Sequence, residues 1–286
     1  MSIMHEIAHY FSYSFILRGF IVGLIVSLCA ALLGVNLVLK RCSMIGDGLS
    51  HVGFGALAVA ASVGIAPLYL AIPAVIIAAL LMTRIAGHKK MDGDAAIAVI
   101  STAALAIGTL VLSMSEGMNT DLESYMFGSL LATDASDLIL CLSLGGVVVL
   151  AFLFIYPTVF AVTFDETFAR SAGVRTEVVR SGISILAAIT VVLGMRLLGA
   201  LLISALILFP CLSAMQILRT FRGVVIGAAG LSVFCFTVGF LSSCLLDAPP
   251  GATVVVTNLI VFLLCTLLSY IKKMQTRASH RKKRLI

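Results

Sequence analysis

Residues 223–246 have the sequence GVVIGAAGLSVFCFTVGFLSSCLL, a run without a single charged side chain. A helix needs about 20 predominantly apolar residues to cross the hydrocarbon core of a bilayer. Because lipid offers the backbone no hydrogen-bond partners, a run of this length satisfies its own peptide groups as an α-helix. The stretch therefore predicts a membrane-spanning helix, and similar runs elsewhere in the chain settle the fold class.

The composition of the whole chain agrees with this stretch. Of the 286 residues, 61% are hydrophobic and only 11% are charged, whereas soluble domains carry about 25% charged residues. This excludes an ordinary cytosolic enzyme, a disordered chain and a disulfide scaffold. We predict an all-α polytopic membrane protein with about nine (eight to nine) transmembrane helices in one compact bundle. The predicted segments are 15–39, 43–64, 66–83, 95–114, 137–157, 178–195, 197–217, 223–246 and 251–271. The count stays open around 178–217, where two short segments meet at Arg196.

The basic residues fall almost entirely in alternate connections. Seventeen of the 19 Lys and Arg residues lie on one predicted side, and only Arg18 and Arg196 lie on the other. Cytoplasmic loops carry an excess of basic residues, so the majority side is predicted to be cytoplasmic. Nine spans then place residues 1–14 outside, as a short extracytoplasmic N-terminus. The basic tail at 272–286 is predicted to be cytoplasmic and to lie near anionic lipid headgroups, with no nucleic-acid partner.

Asp47 and His51 stand out inside the second predicted span, in residues 46–51 (GDGLSH). Ionisable groups are costly within a membrane, so each one is a functional candidate. Residues four apart on a helix share a face, and a carboxylate and an imidazole on adjacent turns can bind one divalent cation. The structural alternatives are an Asp–His hydrogen bond that ties helices together, or an Asp47 that only caps its helix.

A second pattern, residues 5–9 (HEIAH), matches the H-E-x-x-H motif of zinc proteases. In that motif His5 and His9 would bind zinc and Glu6 would act as the general base. The pattern stands outside the apolar run, however, and the chain offers no obvious third ligand. We favour coincidence, with an accessory cation-capturing patch or an intramembrane metalloprotease as the alternatives.

No G-x4-G-K-[ST] phosphate-binding loop occurs anywhere in the sequence. The chain is therefore predicted not to be an enzyme, because it cannot hydrolyse ATP through such a loop. We also expect no permanently bound cofactor.

The cytoplasmic connection at 164–174 (FDETFARSAGV) is unlike a simple linker. Acidic residues begin it, an arginine follows one turn later, and a glycine lies where a left-handed helix stop is expected. This pattern predicts a short amphipathic helix across the inner face, with its two phenylalanines on one side. The alternative is a mere surface turn. The residues that define the pattern are Phe164, Asp165, Glu166, Phe168, Arg170 and Gly173.

Five blocks of sequence together point to a known family. They are 43–51 (SMIGDGLSH), 121–132 (DLESYMFGSLLA), 164–174, 199–210 (GALLISALILFP) and 247–253 (DAPPGAT). In this combination the chain resembles the integral-membrane permeases of bacterial ABC importers for zinc and manganese, the metal-ion ABC-3 type permeases. Each block alone is a weak signal, but their arrangement from about residue 15 to 271 is specific and covers nearly the whole chain.

The resemblance implies a permease domain at 15–271 in a bacterial plasma-membrane importer of divalent metal ions. Two permease copies, identical or paralogous, would associate with two cytoplasmic ABC ATPase subunits and receive metal from an extracytoplasmic metal-binding protein. Asp47 and His51 match the family's intramembrane cation site, and residues 164–174 match the coupling helix that docks on the ATPase. The outer turn at 247–253 looks more like zinc than manganese members, so zinc is the first choice and manganese the next.

The chain departs from the family pattern at one of these blocks. The family often has two alanines after the proline of the fourth block, whereas this chain has Cys211, Leu212 and Ser213, so local packing there is not carried over. A self-sufficient secondary transporter is the alternative from another class. It would show inverted repeats and several acidic residues near the midplane, and the sequence displays neither.

Overall fold

The computed structural model describes residues 13–40, 42–65, 67–86, 93–114, 128 and 134–283. Within these residues the chain forms ten α-helices and no strand. In chain order they are α1 (Ser14–Leu39), α2 (Ile45–Val63), α3 (Pro67–Ala86), α4 (Gly93–Met114), α5 (Ala135–Phe164), α6 (Glu166–Ser171), α7 (Thr176–Leu198), α8 (Ala200–Ile217), α9 (Phe221–Leu246) and α10 (Pro250–Lys283). Nine of the ten are long, and α6 is a single short helix between two of them.

Eight of the long helices are apolar and long enough to cross a membrane. The remaining one, α2, has 19 residues and spans about 28 Å at 1.5 Å per residue. Its first two turns carry Asp47, Ser50 and His51, which lower its hydropathy. Because α2 packs among α3, α4, α7 and α8, much of its surface contacts protein. The predicted all-α, polytopic bundle is confirmed, and α2 accounts for the difference between eight spans and nine.

The centre of the bundle is formed by α1, which packs against α5, α7, α8 and α9. Close approach to α8 occurs at Gly34, where an added Cβ would overlap the carbonyl oxygen of Ile207. One turn away, the Cys211 thiol donates a hydrogen bond to the Ala31 carbonyl oxygen at 3.4 Å. Small residues let helices approach closely in lipid, so the C-terminal half of α1 is held tightly against α8.

Helix α5 is longer than the predicted segment 137–157, because it continues to Phe164 with Pro157 inside it. A proline removes one backbone hydrogen bond and normally ends or kinks a helix. Membrane helices tolerate proline when neighbouring groups satisfy the freed carbonyl. The extension brings α5 directly to α6.

The segment 178–217, whose helix count the sequence left open, forms two helices joined by Gly199 alone. Gly199 has φ +88°, a conformation that suits a residue without a Cβ. Gly128, from the sequence block 121–132, lies against this junction between α7 and α8, since a Cβ added at Gly128 would overlap the carbonyl carbon of Leu198. On the same side, Arg196 forms an ion pair with Asp137 of α5 at 3.1 Å.

Candidate metal site and coupling helix

The structure places Asp47 and His51 side by side on the first two turns of α2. The Oδ2 atom of Asp47 lies 3.5 Å from Nε2 of His51, with 45% and 29% of the two side chains exposed. The pair is thus half-buried in the surface of this chain, and a small cation could reach it from outside the chain. The helical spacing seen in the sequence does bring the two groups onto one face.

A third side chain, Ser204 on the second turn of α8, completes the cluster. Its Oγ donates a hydrogen bond to Oδ1 of Asp47 at 3.1 Å and also lies 3.0 Å from the Ala200 carbonyl oxygen. Ser50 lies beside it, with the two hydroxyl oxygens 3.5 Å apart, and its own Oγ donates to the Asp47 carbonyl oxygen at 2.7 Å. Four polar residues therefore meet where α2 packs on α8.

Ser204 was not among the residues predicted for the site. It lies within the block 199–210, but no local pattern links it to Asp47, which is 157 residues away in sequence. The only available signal was a single hydroxyl in an otherwise apolar run. Contacts of this kind follow from helix packing and not from spacing along one helix.

The geometry also bears on the structural alternatives for Asp47. The Asp47–His51 contact is within one helix, so that contact cannot by itself tie two helices together. The Ser204 hydrogen bond does tie α2 to α8. The Asp47 carboxylate contacts the side chains of His51 and Ser204, which is a different role from that of a helix cap.

The spacing of the two groups suits a shared cation. Two ligands about 2.1 Å from a tetrahedral ion are about 3.4 Å apart, close to the 3.5 Å between Asp47 Oδ2 and His51 Nε2. Within the described part of the chain, no group of three or more His, Cys, Asp or Glu side chains is gathered for a metal. The pair supplies two ligand atoms, so a bound cation that takes four ligands would need the others from outside this pair.

The predicted coupling segment contains α6. Its N-cap is Asp165, whose Oδ1 accepts a hydrogen bond from the Phe168 backbone N–H at 2.8 Å, as N-capping carboxylates do. Gly173 follows the helix with φ +87°, the left-handed conformation expected at a helix stop. Phe168 of α6 and Phe164, the last residue of α5, are 68% and 63% exposed, so two aromatic rings lie at the surface where α5 meets α6.

Charged side chains connect α6 to the neighbouring helices. Glu166 pairs with Arg170 at 3.2 Å within α6 and with Lys40, just after α1, at 3.3 Å. Arg170 in turn donates to Thr176 Oγ1 at the start of α7, at 3.3 Å. The ring of Phe164 packs against Phe221 of α9 with centroids 5.8 Å apart. The short helix is therefore held by the end of α1 and by α7, while the end of α5 that precedes it packs on α9.

Two other features predicted from the sequence, the H-E-x-x-H pattern and the basic tail, are not part of this site. His5, Glu6 and His9 lie outside the residues that the structure describes, so the protease-like pattern stays a sequence hypothesis. Of the predicted basic tail, the backbone continues as part of α10 through Lys283.

The long apolar helices form a bundle typical of helical membrane proteins, with a polar cluster between α2 and α8 and a short capped helix between α5 and α7. Comparison with known families agrees: the ABC 3 transport family model matches residues 12–269. The chain belongs to this family, and the resemblance found in the sequence is confirmed.

Individual relatives are similar over most of their length. The high-affinity zinc uptake system membrane protein ZnuB of Haemophilus influenzae is 28% identical over 243 residues, 85% of this chain and 93% of that protein. The manganese transport system membrane protein MntC of Halalkalibacterium halodurans is 24% identical, with 88% and 87% covered. The structure of PsaBC from Streptococcus pneumoniae in complex with Fab matches with a TM-score of 0.81 at 22% identity, covering 92% of this chain and 95% of that chain. At this low identity, the similarity to the PsaBC structure shows a shared fold and nothing more.

Proposed function

We propose that this chain is the permease subunit of an ATP-driven importer of divalent metal ions, with zinc as the first choice and manganese as the next. The observation that carries the proposal is the half-buried Asp47–His51 pair, whose Oδ2 and Nε2 atoms are 3.5 Å apart. Family membership supports it, as do relatives named for zinc uptake and for manganese transport.

The cation would be bound transiently, as cargo. Asp47 supplies a hard oxygen and His51 a borderline nitrogen, a combination that suits zinc and manganese. Ser204 holds Oδ1 of Asp47, which leaves Oδ2 directed toward His51. A second permease copy, identical or paralogous, would bring an equivalent pair and complete a four-ligand site, since zinc prefers four ligands.

The partners follow from the same proposal. The exposed Phe168 of α6 and Phe164 at the end of α5 would dock on a cytoplasmic ABC ATPase, and that subunit would supply the ATP hydrolysis. An extracytoplasmic metal-binding protein would deliver the ion on the opposite side. The N-terminus would be extracytoplasmic and the C-terminus cytoplasmic in the bacterial plasma membrane, in line with the positive-inside rule.

Reconstitution tests this function directly. The permease is placed in liposomes alone, and then together with its cognate ATPase and metal-binding protein. We expect ATP-dependent zinc or manganese uptake only with the partners. Uptake by the isolated permease, driven by an ion gradient, would favour the secondary transporter instead. Competition between the two metals at equal concentration then decides which one is the preferred cargo.

A further inference from the structure

The C-terminal end of α1 is attached to the segment around α6 by two polar contacts. Asn36 Nδ2 donates to Thr163 Oγ1, near the end of α5, at 2.6 Å. One turn later, Lys40 Nζ forms an ion pair with Glu166 Oε2, the first residue of α6, at 3.3 Å. The two contacts lie on successive turns, so they fix both the position and the rotation of α1 relative to α5 and α6.

The two contacts differ in character and complement each other. Asn36 is 6% exposed, and a buried hydrogen bond is costly to break because its groups cannot turn to water. Thr163 is itself oriented by donating to the Val159 carbonyl oxygen at 2.6 Å. The Lys40–Glu166 pair is partly exposed and weaker alone, but Glu166 also binds Arg170, which makes it part of a network.

Side chains in direct contact connect this end of α1 to the candidate metal site. Gly34, six residues before Lys40, lies against the backbone of Ile207 in α8. The Ile207 side chain lies against Gly46, where an added Cβ would be 2.8 Å from its Cδ1 atom. Gly46 directly precedes Asp47. Ile207 is therefore packed between α1 and the residue beside the proposed metal ligand.

We propose that the C-terminal end of α1 couples movement of α6 to the Asp47–His51 pair, with Asn36 and Lys40 as positioning residues. A displacement of α6 by the ATPase would move α1 through these two contacts. Since α1 packs on Ile207, α8 and Gly46 would shift with it, and the distance between Ser204 and Asp47 would change. This inference rests on the proposed function.

A second route would run through α7. Arg170 donates to Thr176 at the start of α7, and α7 reaches α2 where Met195 lies against Gly53. This contact is six residues beyond Asp47, whereas the Ile207 contact is adjacent to it. Thr176→Val, which removes the acceptor for Arg170, is therefore the variant that compares the two routes.

The test uses the permease reconstituted with its cognate ATPase and metal-binding protein, and it measures ATP hydrolysed per zinc ion taken up. Lys40→Gln and the double variant Lys40→Gln/Asn36→Leu should raise this ratio at least fivefold while ATPase binding stays at the wild-type level. Lys40→Arg should behave as wild type. The matched control is Glu177→Gln, which breaks the Arg180–Glu177 pair at 2.9 Å without touching α1.

The outcomes are distinguishable. An unchanged ratio in the double variant, or a larger effect from Thr176→Val, would overturn the proposal. Lys40→Gln alone keeps the test valid if the double variant does not fold. A second measurement needs no transport: ATP binding should change amide hydrogen exchange at residues 45–51 in the wild type and not in the double variant. If the wild type moves neither zinc nor manganese, the proposed function fails, while the exchange measurement still decides the coupling.

Discussion

Ser204 on α8 donates a hydrogen bond to Asp47 on α2 across 3.1 Å. The bond occupies one carboxylate oxygen and leaves the other 3.5 Å from His51. Two helices far apart in sequence are thus joined where Asp47 and His51 share a face of α2. The carboxylate is oriented before any cation arrives, and preorganised ligands lose less freedom on binding.

Replacing Ser204 should weaken transport without unfolding the protein. Ser204→Ala removes a hydrogen bond to a charged group, a contribution of about 1.5 kcal/mol, so we expect roughly tenfold lower uptake at limiting metal. Ser204→Thr keeps the hydroxyl and should retain most activity. The measurement is initial uptake rate against metal concentration in reconstituted vesicles.

The control for this variant is Ser62→Ala, also on α2, where the exposed hydroxyl bonds only its own helix at Val59. It should leave uptake unchanged. Equal uptake by Ser204→Ala and the wild type at every metal concentration would show that the carboxylate does not need this partner.

Local patterns in the sequence predicted the features that depend on neighbouring residues. The Asp47–His51 pair follows from its spacing of four on a helix. The short helix after Asp165 follows from its acidic start and its glycine stop, and the structure places α6 within the predicted range 164–174. Apolar runs likewise predicted the long helices, since lipid leaves the backbone no alternative.

Features that depend on packing between distant segments were not predictable. Ser204 meets Asp47, and Lys40 meets Glu166, only because helices far apart in sequence pack together. The predicted segment 137–157 ends before α5 does, and the neighbours that accommodate Pro157 inside the helix are not evident in the sequence. The spacing of residues along one helix does not indicate which distant helix will pack against it, so such contacts cannot be predicted from these patterns.

The N-cap of α6 should control docking of the ATPase. Asp165→Ala removes the acceptor for the Phe168 N–H, and loss of an N-cap costs about 1 kcal/mol, a large share of the stability of so short a helix. We expect several-fold weaker binding of the ATPase, measured by co-purification and by surface binding kinetics.

Asp165→Asn is the matched variant, because asparagine caps helices about as well as aspartate. It should bind the ATPase nearly as the wild type does. If asparagine and alanine weaken binding equally, the carboxylate charge contacts the partner and the cap explanation is wrong.

Close packing of α9 on α10 gives a prediction about stability. A Cβ added at Gly239 would be 2.6 Å from the Cα atom of Val254, whereas one added at Gly230 meets nothing within 4 Å. Backbone cannot yield as a side chain can, so Gly239→Ala should destabilise the bundle by about 1–3 kcal/mol. Gly230→Ala should be neutral or slightly stabilising. Thermal unfolding of the two variants in detergent, compared side by side, checks the packing, and equal midpoints would contradict it.

The proposed function requires that Asp47 and His51 bind the transported cation. The most direct measurement is zinc and manganese accumulation by cells that carry Asp47→Ala or His51→Ala, with the amount of permease in the membrane determined in parallel. Asp94→Asn, on the first turn of α4, serves as the control for loss of a carboxylate elsewhere. We predict that each site variant lowers accumulation at least tenfold at normal protein level, because few other ligands are available to a dehydrated cation. Wild-type accumulation in both variants would contradict this, and loss of the protein in the Asp47 variant would show that Asp47 serves to hold α2 on α8 through Ser204.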